Sequence, residues 1–112
     1  MKMYVGLFIK DFEFGTRISA KLTELNSPFE FYEKSTDVSE KTNLFIIDLD
    51  HEETGNEFLV HQLASEYGHA QIIGYMKQIF KEKHDKFKMA GCRVILPKSS
   101  LVKNLSTFLD KQ

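Results

Sequence analysis

Cysteine is almost absent from this sequence, since Cys92 is the only one among 112 residues. A single thiol cannot form an intramolecular disulfide, and the N-terminus lacks the long apolar region and small-residue cleavage site of a signal peptide. No apolar run approaches the roughly 20 residues that a membrane-spanning helix requires. We therefore expect a soluble, cytoplasmic protein that does not associate with membranes.

An excess of charge of either sign is also missing, because 15 basic and 16 acidic residues leave a net charge of -1. Such a chain has no general attraction to nucleic acid, so nucleic acid is not an expected partner. The histidines lack the spacing of metal ligands and have no cysteine beside them, which argues against a zinc site. They are His51, His61, His69 and His84.

Long polar linkers, internal repeats and low-complexity segments are absent as well. A chain of 112 residues is large enough to bury a continuous core without disulfides or structural metals. We therefore expect residues 1–112 to form a single domain.

Short apolar runs alternate with helix-like segments along the chain. Five runs have the length and composition of strands, at residues 3–9, 29–33, 43–50, 70–76 and 94–96. Between them, apolar or aromatic residues recur at helical spacing. These are Ile18, Leu22 and Leu25; Phe58, Leu59, Leu63 and Tyr67; Phe80, His84 and Phe87; and Leu101, Val102, Leu105, Phe108 and Leu109. Gly68 and Gly91 are predicted to end helices, and Ser99 or Ser100 to cap the last one.

One connection departs from this alternation. Residues 35–42 are polar apart from Val38 and have no helical periodicity, so they predict at most a turn or a stunted helix. Strict alternation of strands and helices favours a parallel sheet with helices on both faces. We predict an α/β fold with five strands in the order 2-1-3-4-5, a flavodoxin-like three-layer sandwich whose second helix is shortened or missing.

The third predicted strand ends in two acidic residues. Four consecutive apolar residues, at positions 44–47, indicate a strand buried on both faces, and Asp48 and Asp50 follow them. The switch point of this fold lies between the first and third strands, so Lys10, Asp11, Asp48 and Asp50 should be neighbours. Either aspartate could instead simply cap the end of a strand or helix.

Three positions carry a resemblance to a known family. Asp48 ends the third predicted strand, Asp11 follows the first, and Lys98 lies seven residues after the predicted helix-ending Gly91. With this layout nearly the whole chain resembles the receiver domain of bacterial response regulators, the CheY-like fold, and in particular a divergent stand-alone or pseudo-receiver subgroup. The resemblance implies that Asp48 is the phosphoacceptor-like residue, that Lys98 is its β5 lysine, and that Asp11 and Asp48 are ligands of a weak Mg²⁺ site.

Several positions depart from the receiver pattern. Lys10 stands where receivers carry the first acid of the metal-binding pair, Met76 where they carry a hydroxyl, and Ile95 where they carry an aromatic residue. The ammonium of Lys10 could replace the metal by pairing with Asp48 and Asp11, or it could turn to solvent. Methionine cannot donate a hydrogen bond, so the usual transmission of a phosphorylation signal would be missing.

These departures favour a receiver-like signalling module, not an enzyme, in which phosphorylation of Asp48 is impaired or absent. The resemblance implies that it binds and regulates a protein partner, with a histidine kinase as one candidate. The expected surface comprises the helix near residues 80–90, the last strand and the last helix, on a monomer or weak homodimer.

Other functions remain open at this stage. The chain could be a functional phosphoacceptor in a two-component phosphorelay, or a purely scaffolding dimer. A small flavodoxin-like binder of a nucleotide or flavin is a further alternative. However, residues 10–15 hold one glycine and therefore neither a phosphate-binding loop nor a dinucleotide fingerprint.

Overall fold

Five strands alternate with four α-helices between residues 3 and 109, the part of the chain that this computed structural model describes. The strands are β1 (Val5–Phe8), β2 (Phe29–Phe31), β3 (Leu44–Asp48), β4 (Gln71–Met76) and β5 (Val94–Pro97). The helices are α1 (Phe12–Glu24), α2 (Glu57–Glu66), α3 (Lys81–Ala90) and α4 (Lys98–Leu109). None of these helices is long and apolar enough to cross a membrane.

The strands form one parallel sheet in the order β2-β1-β3-β4-β5. The predicted fold class and strand order are therefore confirmed. In place of the helix that would connect β2 to β3, the chain forms only a short 3-10 turn, Ser35–Asp37. This confirms the predicted loss of that helix, which follows from a polar segment with no apolar face to bury.

The core lies on both faces of the sheet. Strands β1 and β3 are buried at every position, as their continuous apolar runs predict. Helices α1 and α4 cover one face, mainly through Phe14, Ile18, Leu22, Leu101, Leu105 and Leu109. Helices α2 and α3 cover the other, mainly through Val60, Leu63 and Phe87. The sheet thus forms the middle layer of three, and its central strands have no solvent-facing side.

The buried face of α2 matches the predicted one except at Phe58. Asn56 caps the helix by accepting a hydrogen bond from the backbone N–H of Phe58, at 2.8 Å, and this start directs the Phe58 side chain outward, 80% exposed. Of the other predicted residues, Leu63 is buried, and Leu59 and Tyr67 are partly buried against the core. Val60, which was not predicted, is also buried. The helix ends at Glu66, and its C-cap residue is Tyr67, whose N–H bonds to the Leu63 carbonyl, and not Gly68 as predicted.

Two further boundaries differ from the sequence-based expectation. Phe80 precedes α3 as its N-cap residue and is 59% exposed, so it does not belong to a buried helical face. Helix α4 begins at Lys98, immediately after β5, and not after a cap at Ser99 or Ser100.

Two substitutions to alanine on α2 should separate its buried face from its exposed one. Leu63→Ala should lower the free energy of unfolding by about 2–5 kcal/mol, because it leaves a cavity at a fully buried position. Phe58→Ala should change it by no more than about 0.5 kcal/mol, because this larger side chain is already exposed. Urea unfolding followed by circular dichroism measures both. Similar losses for the two variants would contradict the assigned orientation of the helix.

Candidate functional site

The carboxyl ends of the parallel strands bring together groups that are distant in the sequence. Asp11 follows β1, Asp48 ends β3 and Lys98 follows β5. The ammonium of Lys98 lies 3.2 Å from Oδ2 of Asp11, although 87 positions separate the two residues. The structure therefore places these two predicted site residues in direct contact, at the edge where Asp48 also ends its strand.

Asp11 uses both of its carboxylate oxygens. Oδ1 caps α1 by accepting a hydrogen bond from the backbone N–H of Phe14, at 3.2 Å, and Oδ2 accepts from Lys98. The backbone hydrogen bond from Phe14 and then the one from Lys98 hold the pKa of Asp11 below its ordinary value. Asp11 is thus held as a charged carboxylate that ties α1 to α4.

Asp48 is buried, with only 7% of its surface exposed. Its Oδ1 accepts hydrogen bonds from the backbone N–H groups of Asp50, at 2.9 Å, and His51, at 3.3 Å. Its carbonyl oxygen accepts one from the hydroxyl of the buried Thr54, at 2.6 Å. Within residues 3–109, every bond of ordinary geometry to this carboxylate ends on Oδ1.

The loop after β3 folds back tightly over its own start. A side chain at Gly55 would collide with the backbone carbonyl of Leu49, so this close approach requires glycine. The N–H of Gly55 donates to the carbonyl of His51, at 2.6 Å. Together with the bonds to Asp48, these contacts fix the loop that borders the site.

Asp50 faces a different part of the chain. Its Oδ2 accepts a hydrogen bond from the backbone N–H of Lys77, at 2.7 Å, and Oδ1 lies 3.8 Å from the ammonium of Lys83. Asp50 thus anchors the loop after β4. This agrees with the alternative in which Asp50 caps a chain segment.

Lys10 takes neither of the orientations considered from the sequence. Its ammonium lies 3.3 Å from a carboxylate oxygen of Glu53 and 3.8 Å from one of Glu33. Its ion pairs in the described part of the chain therefore run to these two glutamates, and none joins it to Asp11 or Asp48. Lys10 links the loop after β3 to the segment after β2 at the rim of the site.

The residues present do not form an ordinary magnesium site. Mg²⁺ requires a near-octahedral set of oxygen ligands, usually carboxylates together with water and phosphate. Asp11 already binds Lys98 and caps α1, and residues 3–109 contain no group of three acidic, histidine or cysteine side chains that could hold a metal. The predicted pair of ligands, Asp11 and Asp48, therefore has no third acid beside it among these residues, and Asp11 would have to leave Lys98 to bind Mg²⁺ with Oδ2.

Met76 and Ile95 lie on the sheet face opposite to Asp48. Both are buried in the core cluster beneath α2 and α3. Met76 therefore packs as a core residue, and its side chain has no hydroxyl group.

Tyr75, the residue before Met76, was not recognised from the sequence. It pairs in register with Asp48, and its hydroxyl is buried without a hydrogen-bond partner among residues 3–109. Burial, followed by the charge of Asp48, raises the pKa of Tyr75. An isolated tyrosine among the apolar residues of β4 was the available signal, but its neighbour depends on the strand register.

No protein-family model and no curated protein matches the sequence. Solved structures do match. The receiver domain of a sensor histidine kinase from Pseudomonas aeruginosa, with magnesium coordinated in its active site cleft, has a TM-score of 0.79 at 16% identity. That match covers 99% of this chain and 97% of that one.

Two further structures give similar matches. A CheY-like response regulator receiver domain protein from Methanospirillum hungatei has a TM-score of 0.79 at 13% identity, over 99% of this chain and 96% of that one. A response regulator from Thermotoga maritima has a TM-score of 0.78 at 11% identity, over 96% and 97%. Over nearly its whole length, this chain has the CheY-like fold of response regulator receiver domains.

Replacing Lys98 by methionine should raise the pKa of Asp11 toward its ordinary value of 3.8, because the carboxylate loses its cationic partner. The backbone bond from Phe14 remains, so the return should be partial. NMR titration of the Asp11 carboxyl carbon measures the effect, with Lys103→Met on the exposed side of α4 as the control. An unchanged Asp11 pKa in Lys98→Met would contradict the ion pair.

The same ion pair determines the sign of a pH effect on stability. A lowered carboxyl pKa stabilises the folded state above the ordinary value, and the contribution is lost as the pH falls through the folded-state value. The stability advantage of the wild type over Lys98→Met should therefore be present at neutral pH and shrink on acidification.

Proposed function

We propose that this chain is a cytoplasmic, receiver-type signalling module that binds and regulates a protein partner, and that phosphorylation of Asp48 is impaired or absent. It is not an enzyme in this proposal. The CheY-like fold over nearly the whole chain supports the receiver type. The closed ion pair of Asp11 with Lys98 supports the second part, because it engages the ammonium that would otherwise neutralise an incoming phosphoryl group.

Charge is the main obstacle to phosphorylation here. Phosphoryl transfer to a carboxylate depends on placing the groups and neutralising their charge. Two unit charges of like sign about 4 Å apart repel by about 4 kcal/mol at an effective dielectric constant of 20. Lys98 is shared with Asp11, and Lys10 is directed to Glu33 and Glu53. Asp48 would therefore face a phosphoryl donor with little compensating positive charge.

The output side supports the same proposal. Met76 is fully buried and cannot donate a hydrogen bond to a phosphoryl oxygen, and Ile95 lacks the aromatic ring that would change position in response. If Asp48 were phosphorylated, no hydroxyl at position 76 could donate a hydrogen bond to the phosphoryl group. We infer that the module acts through a surface that is already formed in the unmodified protein.

For the partner we propose the surface formed by α3, β5 and α4. Strand β5 is an edge of the sheet, and apolar side chains along it and along α4 are only partly buried. These are Val94, Leu96, Val102 and Phe108. An edge strand with accessible apolar side chains offers both backbone groups and apolar area to a protein partner. A histidine kinase is one candidate partner, and we propose a monomer or weak homodimer.

Phosphorylation can be tested directly by incubating the chain with acetyl phosphate and Mg²⁺ and measuring its intact mass. We expect no added phosphoryl mass on the wild type under conditions that label an active receiver in a parallel reaction. Added mass that disappears in Asp48→Asn would contradict the proposal and would show that the chain is a functional phosphoacceptor.

A gain-of-function variant tests why Asp48 would not be phosphorylated. Lys10→Asp would place a second acid beside Asp11 and remove a cation from the rim, so it should allow Mg²⁺ binding and partial labelling by acetyl phosphate. The double variant Lys10→Asp, Asp48→Asn is the control and should remain unlabelled. Absence of labelling in Lys10→Asp would show that the missing acid is not what prevents the reaction.

A further inference from the structure

Strand register places the side chain of Tyr75 beside that of Asp48. The two residues are direct partners across the parallel strands β3 and β4. Partners in register project to the same face of a sheet, and alternate residues of each strand, Ile46 and Ile73, pack on the face covered by α1 and α4. The Asp48 carboxylate and the Tyr75 phenol therefore share one face at the carboxyl edge of the sheet.

The ring of Tyr75 is fixed by its surroundings. Only 1% of the residue is exposed, and its ring centroid lies 4.8 Å from that of Phe14 on α1. Phe14 also contacts Lys98, whose ammonium lies 4.9 Å from the centroid of the Phe14 ring. The phenol thus cannot turn to solvent without disturbing the packing of α1 on the sheet.

The hydroxyl of Tyr75 has no hydrogen-bond partner of ordinary geometry among residues 3–109. It is the one buried side-chain polar atom of that range without such a partner. Buried hydroxyl groups in proteins are nearly always paired, because an unpaired one loses its bonds to water without replacement. Burial and the charge of Asp48 raise the pKa of this phenol, so it keeps its proton at neutral pH and remains a donor.

Within residues 3–109, no hydrogen bond of ordinary geometry reaches Oδ2 of Asp48. The backbone N–H groups of Asp50 and His51 both donate to Oδ1. A carboxylate has two oxygens with about four acceptor positions, so Oδ2 can accept from a neighbouring donor. The neighbouring side chain on β4 with a hydroxyl group is Tyr75.

We propose that Tyr75 is a positioning residue of the Asp48 pocket, and that its hydroxyl donates a hydrogen bond to Oδ2 of Asp48. The loop then holds one carboxylate oxygen and β4 holds the other. A hydroxyl reaches the pocket from position 75, inside the core, although position 76 carries methionine. The assignment goes beyond the proposed function, because it concerns the unmodified chain and holds whether or not Asp48 accepts a phosphoryl group.

NMR of the full chain tests the bond through the hydroxyl proton of Tyr75. We expect a slowly exchanging proton that disappears in Tyr75→Phe and shows a nuclear Overhauser contact to the Phe14 ring. In Asp48→Asn, which keeps the size of the side chain but removes its charge, this resonance should move upfield. A Tyr75 hydroxyl proton that does not respond to Asp48→Asn, or that exchanges at the solvent rate, would overturn the proposal.

Tyr32 provides the matched control. It is also buried, but its hydroxyl lies 2.9 Å from the hydroxyl of Thr42, away from Asp48. Its hydroxyl proton should therefore be unchanged in Asp48→Asn. A shift of both tyrosine resonances would indicate a general rearrangement of the fold and would count against a specific contact between Tyr75 and Asp48.

A double-mutant cycle gives a second, independent measurement. Tyr75→Phe should reduce the unfolding stability by about tenfold in the equilibrium constant when Asp48 is present, and by about twofold when Asp48→Asn is present. Tyr32→Phe should have the same effect in both backgrounds. Equal effects of Tyr75→Phe in the two backgrounds would mean that the two side chains do not interact, and would overturn the proposal.

Discussion

The burial of β3 on both faces is the constraint on which the rest of the structure depends. A strand with no solvent-facing side must end near the point where the chain can reach water again, and β3 ends at Asp48, two residues before the exposed Asp50. Because β1 and β4 pair with it on either side, their carboxyl ends lie at the same edge. The polar groups of the site are therefore brought together by the packing of apolar residues.

At that edge, the available charges are largely used within the protein. Asp11 binds Lys98 and the start of α1, and Lys10 binds two glutamates at the rim. Asp48 is bonded by the backbone of its own loop. A pocket whose charges are already paired resists a further charged ligand, which agrees with a module that works through its surface.

Much of the fold could be predicted from the sequence, because strand and helix periodicity, strict alternation and the polar segment 35–42 are local properties. The site was predicted less completely. The family resemblance indicated Asp11, Asp48 and Lys98 as site residues but not the ion pair of Asp11 with Lys98, and the partners of Lys10 are remote glutamates that no spacing indicates. Tyr75 was missed because its contact depends on register, which a single sequence does not specify. The phosphoacceptor role of Asp48 stays a prediction.

The two ways in which the loop after β3 is held differ in their response to ionic strength. Lys10 and its glutamates are partly exposed, so dissolved ions weaken this attachment as their concentration rises. The bond from Thr54 to the Asp48 carbonyl is buried and the backbone bond to its carboxylate is partly buried, so both are screened much less. In concentrated salt the outer rim of the site therefore loosens first, while the backbone around Asp48 keeps its shape.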